Sequence, residues 1–302
     1  ILSFLALSLS GCAAIDDMMG ETKLPPLTGE RVSFLQGPAT PVPSADLQST
    51  PMSLPDPWVN AVWPQAGGYP GHAMGHLALG PKLDRAWKTP IGAGGYRRNP
   101  LIVQPVVAEG LVFTLDAKST VAAFDTKTGK KKWATSSAPA DEKDIAYIGG
   151  GLAYSGGKLF VTNGYKQLLC LNPQTGEVLW KVSTPSAARS APTVADGRVY
   201  LITLDSRMMV FSSADGAPLW TYAGVAETTN ILGSVAPAVD ASLVVLPLSS
   251  GEILGLRPEN GQVVWEDNLS AVRRSGILSS ISDIRGQPVI DQGIVYAASY
   301  SG

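Results

Sequence analysis

Apolar and polar positions along most of the chain come in short bursts broken by glycine, and the bursts follow a fixed order. Residues 191–220, "APTVADGRVYLITLDSRMMVFSSADGAPLW", show it: a short apolar run, a glycine turn, a longer apolar run, a polar turn, a third run, then a turn leading into tryptophan. Runs this short, rich in β-branched residues and bounded by turn formers, predict strands. The order returns in "QPVVAEGLVFTLDAKSTVAAFDTKTGKKKW" from 104, "GLAYSGGKLFVTNGYKQLLCLNPQTGEVLW" from 151 and "APAVDASLVVLPLSSGEILGLRPENGQVVW" from 236. "QPVIDQGIVYAASYSG" from 287 begins it once more. Each unit therefore predicts four strands.

The tryptophans set the period: Trp87, Trp133, Trp180, Trp220 and Trp265 lie 46, 47, 40 and 45 residues apart. A period of this size marks a repeat architecture, and four-stranded units of about 45 residues are the blades of a β-propeller. The fold class expected is all-β, with about five blades in the residues present. Before each tryptophan stands a turn, as in "TGKKKW" (128–133), "TGEVLW" (175–180), "DGAPLW" (215–220) and "NGQVVW" (260–265). Gly129, Gly176, Gly216 and Gly261 fall where a two-residue hairpin wants positive φ, and the tryptophan is expected to start the outer strand. A ring repeated in every blade sits at equivalent radial positions. It is read as a blade-to-blade brace, fully buried and contributing about 1.5 to 3 kcal/mol, rather than as a ligand contact.

Composition agrees with a folded domain and removes some partners. With 45% hydrophobic and 16% charged residues the chain is globular, and its net charge of -2 gives no pull towards nucleic acid. Only two cysteines occur, Cys12 and Cys170, so no disulfide framework or thiolate cluster is expected, and Cys170 in "QLLCLN" reads as a buried inert thiol. His72 and His76 are four apart in "GHAMGHL", but the flanking glycines disfavour a helix and no third ligand is near in sequence, so no metal site is assigned. No Gly-x-Ser-x-Gly elbow, P-loop or His-Glu-x-x-His motif is present.

The first residues read as an address. The apolar run Ile1–Leu9 has the length of a signal-peptide core and is too short to span a bilayer. Leu9-Ser10-Gly11-Cys12 resembles the bacterial lipobox, which implies residues 1–11 as an N-terminally incomplete signal peptide and lipidation of Cys12. Ala13 after it resembles lipoproteins sorted to the outer membrane of Gram-negative bacteria, facing the periplasm. Residues 12–57, with "KLPPLTGE", "GPATPVPSAD" and "STPMSLPDP", form a Pro-rich tether with a possible short strand at Arg31–Leu35, and 58–302 form the propeller.

The repeat pattern "G-x-V-Y … D-x-x-T-G-x-x-x-W" resembles the quinoprotein-type (PQQ-like) propeller repeat from about Trp63 to Gly302. Two branches use it: the PQQ-dependent dehydrogenases, and the BamB lipoproteins of the outer-membrane β-barrel assembly (BAM) machinery. The lipobox with Ala13, the absence of adjacent cysteines and of a recognisable calcium set, and "WPQAGGYPGHAMGHLAL" (63–79), similar to the segment leading into the first blade of alphaproteobacterial BamB, favour the second. That resemblance implies eight blades, so blades are expected beyond the C-terminal residue present. It also implies a noncatalytic, cofactor-free scaffold that binds BamA and helps deliver nascent outer-membrane β-barrel proteins, with strand edges free for unfolded substrate. A PQQ-dependent periplasmic dehydrogenase and a generic envelope-binding propeller stand as alternatives.

The loops between each tryptophan strand and the next inner strand lie on one face by topology, and they carry Arg97, Arg98, Arg189, Arg273, Arg274, Asp283 and Arg285. The BamB contact with BamA resembles an arginine ahead of Ser-Ala-Pro and aspartates in a Ser-Asp-x-Asp stretch. This implies Arg189 in "RSAP" and Asp283 in "SDIR" as BamA-binding residues, with Arg285 replacing the second aspartate and Arg273 and Arg274 beside them. Ala187 and Ala188 occupy the ground of leucines in the enterobacterial members.

Overall fold

The computed structural model describes residues 51, 53–95, 100–142, 149–188, 190–225, 235–269 and 284–299. Within the compact unit Leu54–Gly302, each predicted unit folds as one antiparallel sheet in sequence order. The first blade holds β1 (Val106–Ala108), β2 (Leu111–Leu115), β3 (Thr120–Asp125) and β4 (Lys131–Ser136). The second holds β5 (Gly150–Ser155), β6 (Lys158–Asn163), β7 (Gln167–Leu171) and β8 (Val178–Ser183). The third holds β9 (Thr193–Ala195), β10 (Arg198–Ile202), β11 (Arg207–Ser212) and β12 (Pro218–Ala223). In the fourth are β13 (Ala238–Val239), β14 (Val244–Pro247), β15 (Glu252–Leu256) and β16 (Val263–Asn268), and β17 (Val289–Asp291) and β18 (Ile294–Tyr296) begin a fifth. The inner strands β1, β5, β9, β13 and β17 neighbour one another in that order.

The core lies between blades, which explains why the middle strands read as continuous apolar runs rather than clean alternation. In β6, Leu159 and Val161 face the first blade and pack with Phe113, Leu115 and Val121, while Phe160 points the other way onto Val199 and Phe211 of the third. Tyr200 and Ile202 pack against Leu246 and Leu254, and Val245 and Ile253 against Ile290. The sheets of the second, third and fourth blades are thus covered on both faces. Cys170 belongs to one of these layers, fully buried, and burial pushes its thiol up to about 11 against a small opposing effect of Lys158.

The turn before each tryptophan differs from the expected two-residue hairpin. Asp125 N–H donates to Lys130 O at 2.9 Å and Gly129 N–H to Asp125 O at 2.8 Å, enclosing a four-residue loop, and the pairs Asn172–Glu177, Ser212–Ala217 and Arg257–Gln262 repeat it. A turn former also acts three residues earlier than expected, where the loop opens: Asp125 Oδ1 accepts from the N–H groups of Lys127 and Thr128. Glycine is needed at the last loop position, where φ is +67° at Gly129 and +75° at Gly176. The tryptophan is the third residue of its outer strand, not the first. Directly before it the register shifts in all four sheets, so Lys132, Leu179, Leu219 and Val264 bulge out of the ladder. Bulges at this position blunt the free outer edges against strand addition.

The tryptophans sit against neighbouring blades but are less buried than expected. Added to Gly129, Gly176, Gly216 and Gly261, a Cβ would stand 2.5 to 2.8 Å from a ring carbon of Trp87, Trp133, Trp180 and Trp220 respectively. These four tryptophans therefore lie on the turn glycine of the following blade. In three of them the indole N–H donates to the next turn as well: Trp87 to Thr126 O at 2.8 Å, Trp133 to Pro173 O at 2.9 Å, Trp220 to Pro258 O at 2.9 Å. The rings, Trp265 included, are half-buried rather than fully buried, because the outer strand carries solvent on one side.

Candidate functional site

The segment 63–72, "WPQAGGYPGH", reads as a leader into the first blade, yet it crosses the axis and bonds to the inner strand of every blade in turn. Trp63 and Val107 of β1 exchange two backbone hydrogen bonds of 2.8 Å, and Tyr154 N–H of β5 donates to Pro64 O at 2.7 Å. Gln65 then reaches β9 with its side chain: Nε2 donates to Val194 O at 2.7 Å, and Val194 N–H donates to Oε1 at 2.8 Å. Val239 N–H of β13 donates to Pro70 O at 2.8 Å and Ile290 N–H of β17 to Gly71 O at 2.9 Å. Inner strands of a propeller leave an unpaired edge facing the axis, and a buried unpaired edge is costly. The thread supplies the missing partners.

A tight reversal lets the thread turn between β9 and β13. Gln65 and Gly68 exchange backbone hydrogen bonds around Ala66 and Gly67, and a Cβ on Gly67, whose φ is +77°, would stand 2.8 Å from the His72 ring. His72 itself has φ of 61°, so it is not on a helix. Its Nδ1 lies 2.7 Å from Pro288 O, which can only accept, so Nδ1 carries the proton and Nε2 accepts from Gln287 Nε2 at 3.1 Å. Gln287 also donates to Ala66 O at 3.2 Å. His76 is separately engaged, 2.7 Å from Pro55 O. Among the described residues no three His, Cys, Asp or Glu side chains are grouped to hold a metal.

Burial depresses the His72 pKa from 6.5 to about 4, partly offset by the bond to Pro288. A histidine held neutral in the fold but free to protonate when unfolded contributes stability above its unfolded pKa and loses it on acidification. Stability is therefore expected to fall between about pH 6.5 and pH 4, by roughly 3 kcal/mol in all. His72→Gln should flatten that slope in urea titrations run at each pH; an unchanged slope would contradict the neutral assignment.

The thread divides the axial region into two depressions. On the face of the inter-blade loops, a cavity of about 170 Å³ is lined by Gln104, Gly150, Gly151, Ser190, Ala191, Val235, Arg285 and Gln287, with Ala66 of the thread in its wall. On the opposite face, that of the hairpin turns β1–β2, β5–β6 and β9–β10, a cavity of about 540 Å³ is lined by Pro64, Gln65, Tyr69, Pro70, Glu109, Tyr154 and Asp196 among others. Tyr154 OH donates to Glu109 Oε1, and Gln174 Nε2 to Oε2 at 2.7 Å. These two bonds, Tyr154 first, hold the Glu109 carboxyl below the usual carboxylate range, while burial and then the Glu109 carboxylate push the Tyr154 phenol up to about 12.

Of the residues implied as BamA contacts, Arg285 is described: it is exposed at the mouth of the inter-blade-loop cavity. Arg189, Asp283, Arg273 and Arg274 lie outside the described residues, as do Arg97, Arg98, Cys12 and the strand expected at 31–35. Ser190, the chain neighbour of Arg189, lines the same cavity as Arg285, and Ile284, the chain neighbour of Asp283, is fully buried. Ala187 and Ala188 are buried, at 8% and 1% exposure, with Leu204 N–H donating to Ala187 O at 2.9 Å, so they offer no side-chain surface to a partner. Sequence reading missed the thread, for which Gln65 and His72, polar residues set among glycine and proline, were the available signal.

A sequence model of the family described as outer membrane protein assembly factor BamB matches residues 84–146 and 137–302. Outer membrane protein assembly factor BamB of Yersinia pestis is 29% identical over 224 residues, covering 72% of this chain and 56% of that protein. The crystal structure of BamB from Moraxella catarrhalis superposes with a TM-score of 0.58 at 24% identity, over 67% of this chain and 59% of that one. Quinohemoprotein alcohol dehydrogenase from Comamonas testosteroni shares the fold, with a TM-score of 0.53 at 16% identity over 79% of this chain and 45% of that one. The chain spans about half the length of the curated relatives it matches.

Proposed function

The chain belongs to the BamB family, and from that premise we propose that it is a noncatalytic scaffold of the BAM machinery, held on the periplasmic face of the outer membrane by lipid on Cys12. It docks a periplasmic part of BamA through the inter-blade-loop face and helps present nascent β-barrel proteins for insertion. One observation carries the docking surface: Ser190 and Arg285, from the β8–β9 and β16–β17 inter-blade loops, line one cavity, and their close neighbours in sequence are Arg189 and Asp283. Two loops braced by rigid blades can offer a fixed pattern of charge, which gives specificity and speeds encounter.

Substrate handling by strand addition has less room than the sequence suggests. The bulges at Lys132, Leu179, Leu219 and Val264 interrupt each complete outer edge, so an added strand has only the residues from the tryptophan onward.

Arg189→Ala combined with Asp283→Ala is expected to remove BamA from material copurified with the full-length lipoprotein, and Arg285→Glu to weaken it about tenfold or more. Undiminished copurification in the double variant, with a normal melting curve, would overturn the assignment.

A further inference from the structure

The larger cavity, on the hairpin-turn face, is not used by the docking surface just described. Its floor is the thread, with Pro64, Tyr69 and Pro70, and Tyr154 of the second blade forms one wall. Two carboxylates enter it from different blades: Glu109 from the β1–β2 turn and Asp196 from the β9–β10 turn. Glu109 is fixed in place by Tyr154 and Gln174, one bond to each oxygen. A carboxylate has about four acceptor positions, so this one is oriented and still able to accept two further donors.

Cations near these turns are directed elsewhere. Lys158 donates to the carbonyls of Ser213 and Ala214, at 3.1 and 3.0 Å, and Arg198 Nη1 lies 3.4 Å from the backbone oxygen of Asp196. Among the described residues neither Glu109 nor Asp196 forms an ion pair. Asp240, in the corresponding turn of the fourth blade, is occupied by its own turn, accepting from Ser242 and Leu243 N–H at 2.7 Å each. The cavity thus combines flat apolar and aromatic surface with two unneutralised carboxylates. A neutral apolar occupant would desolvate both without compensation, and an anion would be repelled.

We propose that this cavity receives an arginine side chain of an extended polypeptide, its stem lying along Pro64 and Pro70, its guanidinium stacked on tyrosine and bonded between Glu109 and Asp196. Arginine fits better than lysine because its planar fork can serve two carboxylates while its face lies on a ring. The inference rests on the client-presenting part of the proposed function only for the choice of a polypeptide as source. BamA docking lies on the other face, so either can fail alone.

The test is fluorescence anisotropy with a labelled, otherwise neutral seven-residue peptide carrying one central arginine, and with the same peptide carrying norleucine or glutamate instead. The arginine peptide is expected to bind and to weaken with added salt, norleucine to bind about tenfold less well and glutamate not at all. Glu109→Gln and Asp196→Asn, near-isosteric changes at the surface, should each weaken the arginine peptide roughly fivefold, whereas Arg285→Ala should leave it unchanged. Equal binding of the norleucine peptide, indifference to both carboxylate variants, or no binding at millimolar peptide would overturn the proposal. Competition by free arginine as effective as the peptide itself would overturn the polypeptide as the source.

Discussion

Replacing Gln65 by alanine is expected to destabilise the folded chain by about 2 to 6 kcal/mol, because it strands two buried backbone groups that each cost roughly 1 to 3 kcal/mol when unpaired. Val194, which gives and takes the two Gln65 hydrogen bonds, is 2% exposed, so water does not replace the lost amide without rearrangement. For a unit of this size that loss lowers the melting temperature by roughly 10 °C. Native-state hydrogen exchange gives the local readout: the Val194 amide should lose its protection first. Gln174→Ala removes a single exposed bond to Glu109 and should stay within about 0.5 kcal/mol of the parent. Equal effects of the two changes would mean that the thread carries no weight.

The second large effect concerns the brace between blades. Trp133→Ala removes the ring above Gly176, its contact with Phe113 at 6.1 Å and its bond to Pro173, and should cost about 2 to 4 kcal/mol, below the value for a fully buried ring. Gly176→Ala should cost a similar amount. It puts a side chain at φ of +75° and a methyl 2.5 Å from a ring carbon of Trp133. Since both act on one contact, the double variant should cost clearly less than the two together. Phenylalanine replacements separate ring from N–H. Trp133→Phe forfeits a bond worth about 1 kcal/mol, whereas Trp180→Phe should be nearly neutral, because Trp180 Nε1 is buried without a partner among the described residues. The equivalent carbonyl, Ser213 O, is engaged by Lys158 Nζ at 3.1 Å. Chemical denaturation of the five variants checks both statements.

These two results bear on what a sequence can disclose. The blades were legible because Gly129, Gly176, Gly216 and Gly261 and the tryptophans after them obey a local rule in every unit, and local rules leave a period. The loop length was misread because a left-handed glycine serves a two-residue and a four-residue turn alike; the discriminating bond, from the glycine N–H back to residue 125, 172, 212 or 257, leaves no mark on composition. The thread left only Gln65 and His72 as a signal. Pro64, Gly67, Gly68, Pro70 and Gly71 make the segment look like a linker, and its partners on β1, β5, β9, β13 and β17 are 44 to 219 residues away in sequence. An irregular segment bonded to five strands, to one of them through the Gln65 side chain, has no periodicity to detect.

The candidate docking surface was legible only in part. Topology put the inter-blade loops on one face, but the cavity shared by Ser190 and Arg285 depends on how far the thread fills the axis. The opposite cavity escaped sequence reading because Glu109, Tyr154 and Asp196 come from three different blades and form no motif.

The central claim is that the inter-blade-loop face, and not the hairpin-turn face, meets BamA. Site-specific photocrosslinking decides it most directly, with a benzoylphenylalanine placed at position 285 or at position 109 of the full-length lipoprotein in Gram-negative cells. A BamA adduct from position 285 and none from position 109 is the predicted result. BamA captured from position 109 while position 285 stays silent would contradict the account.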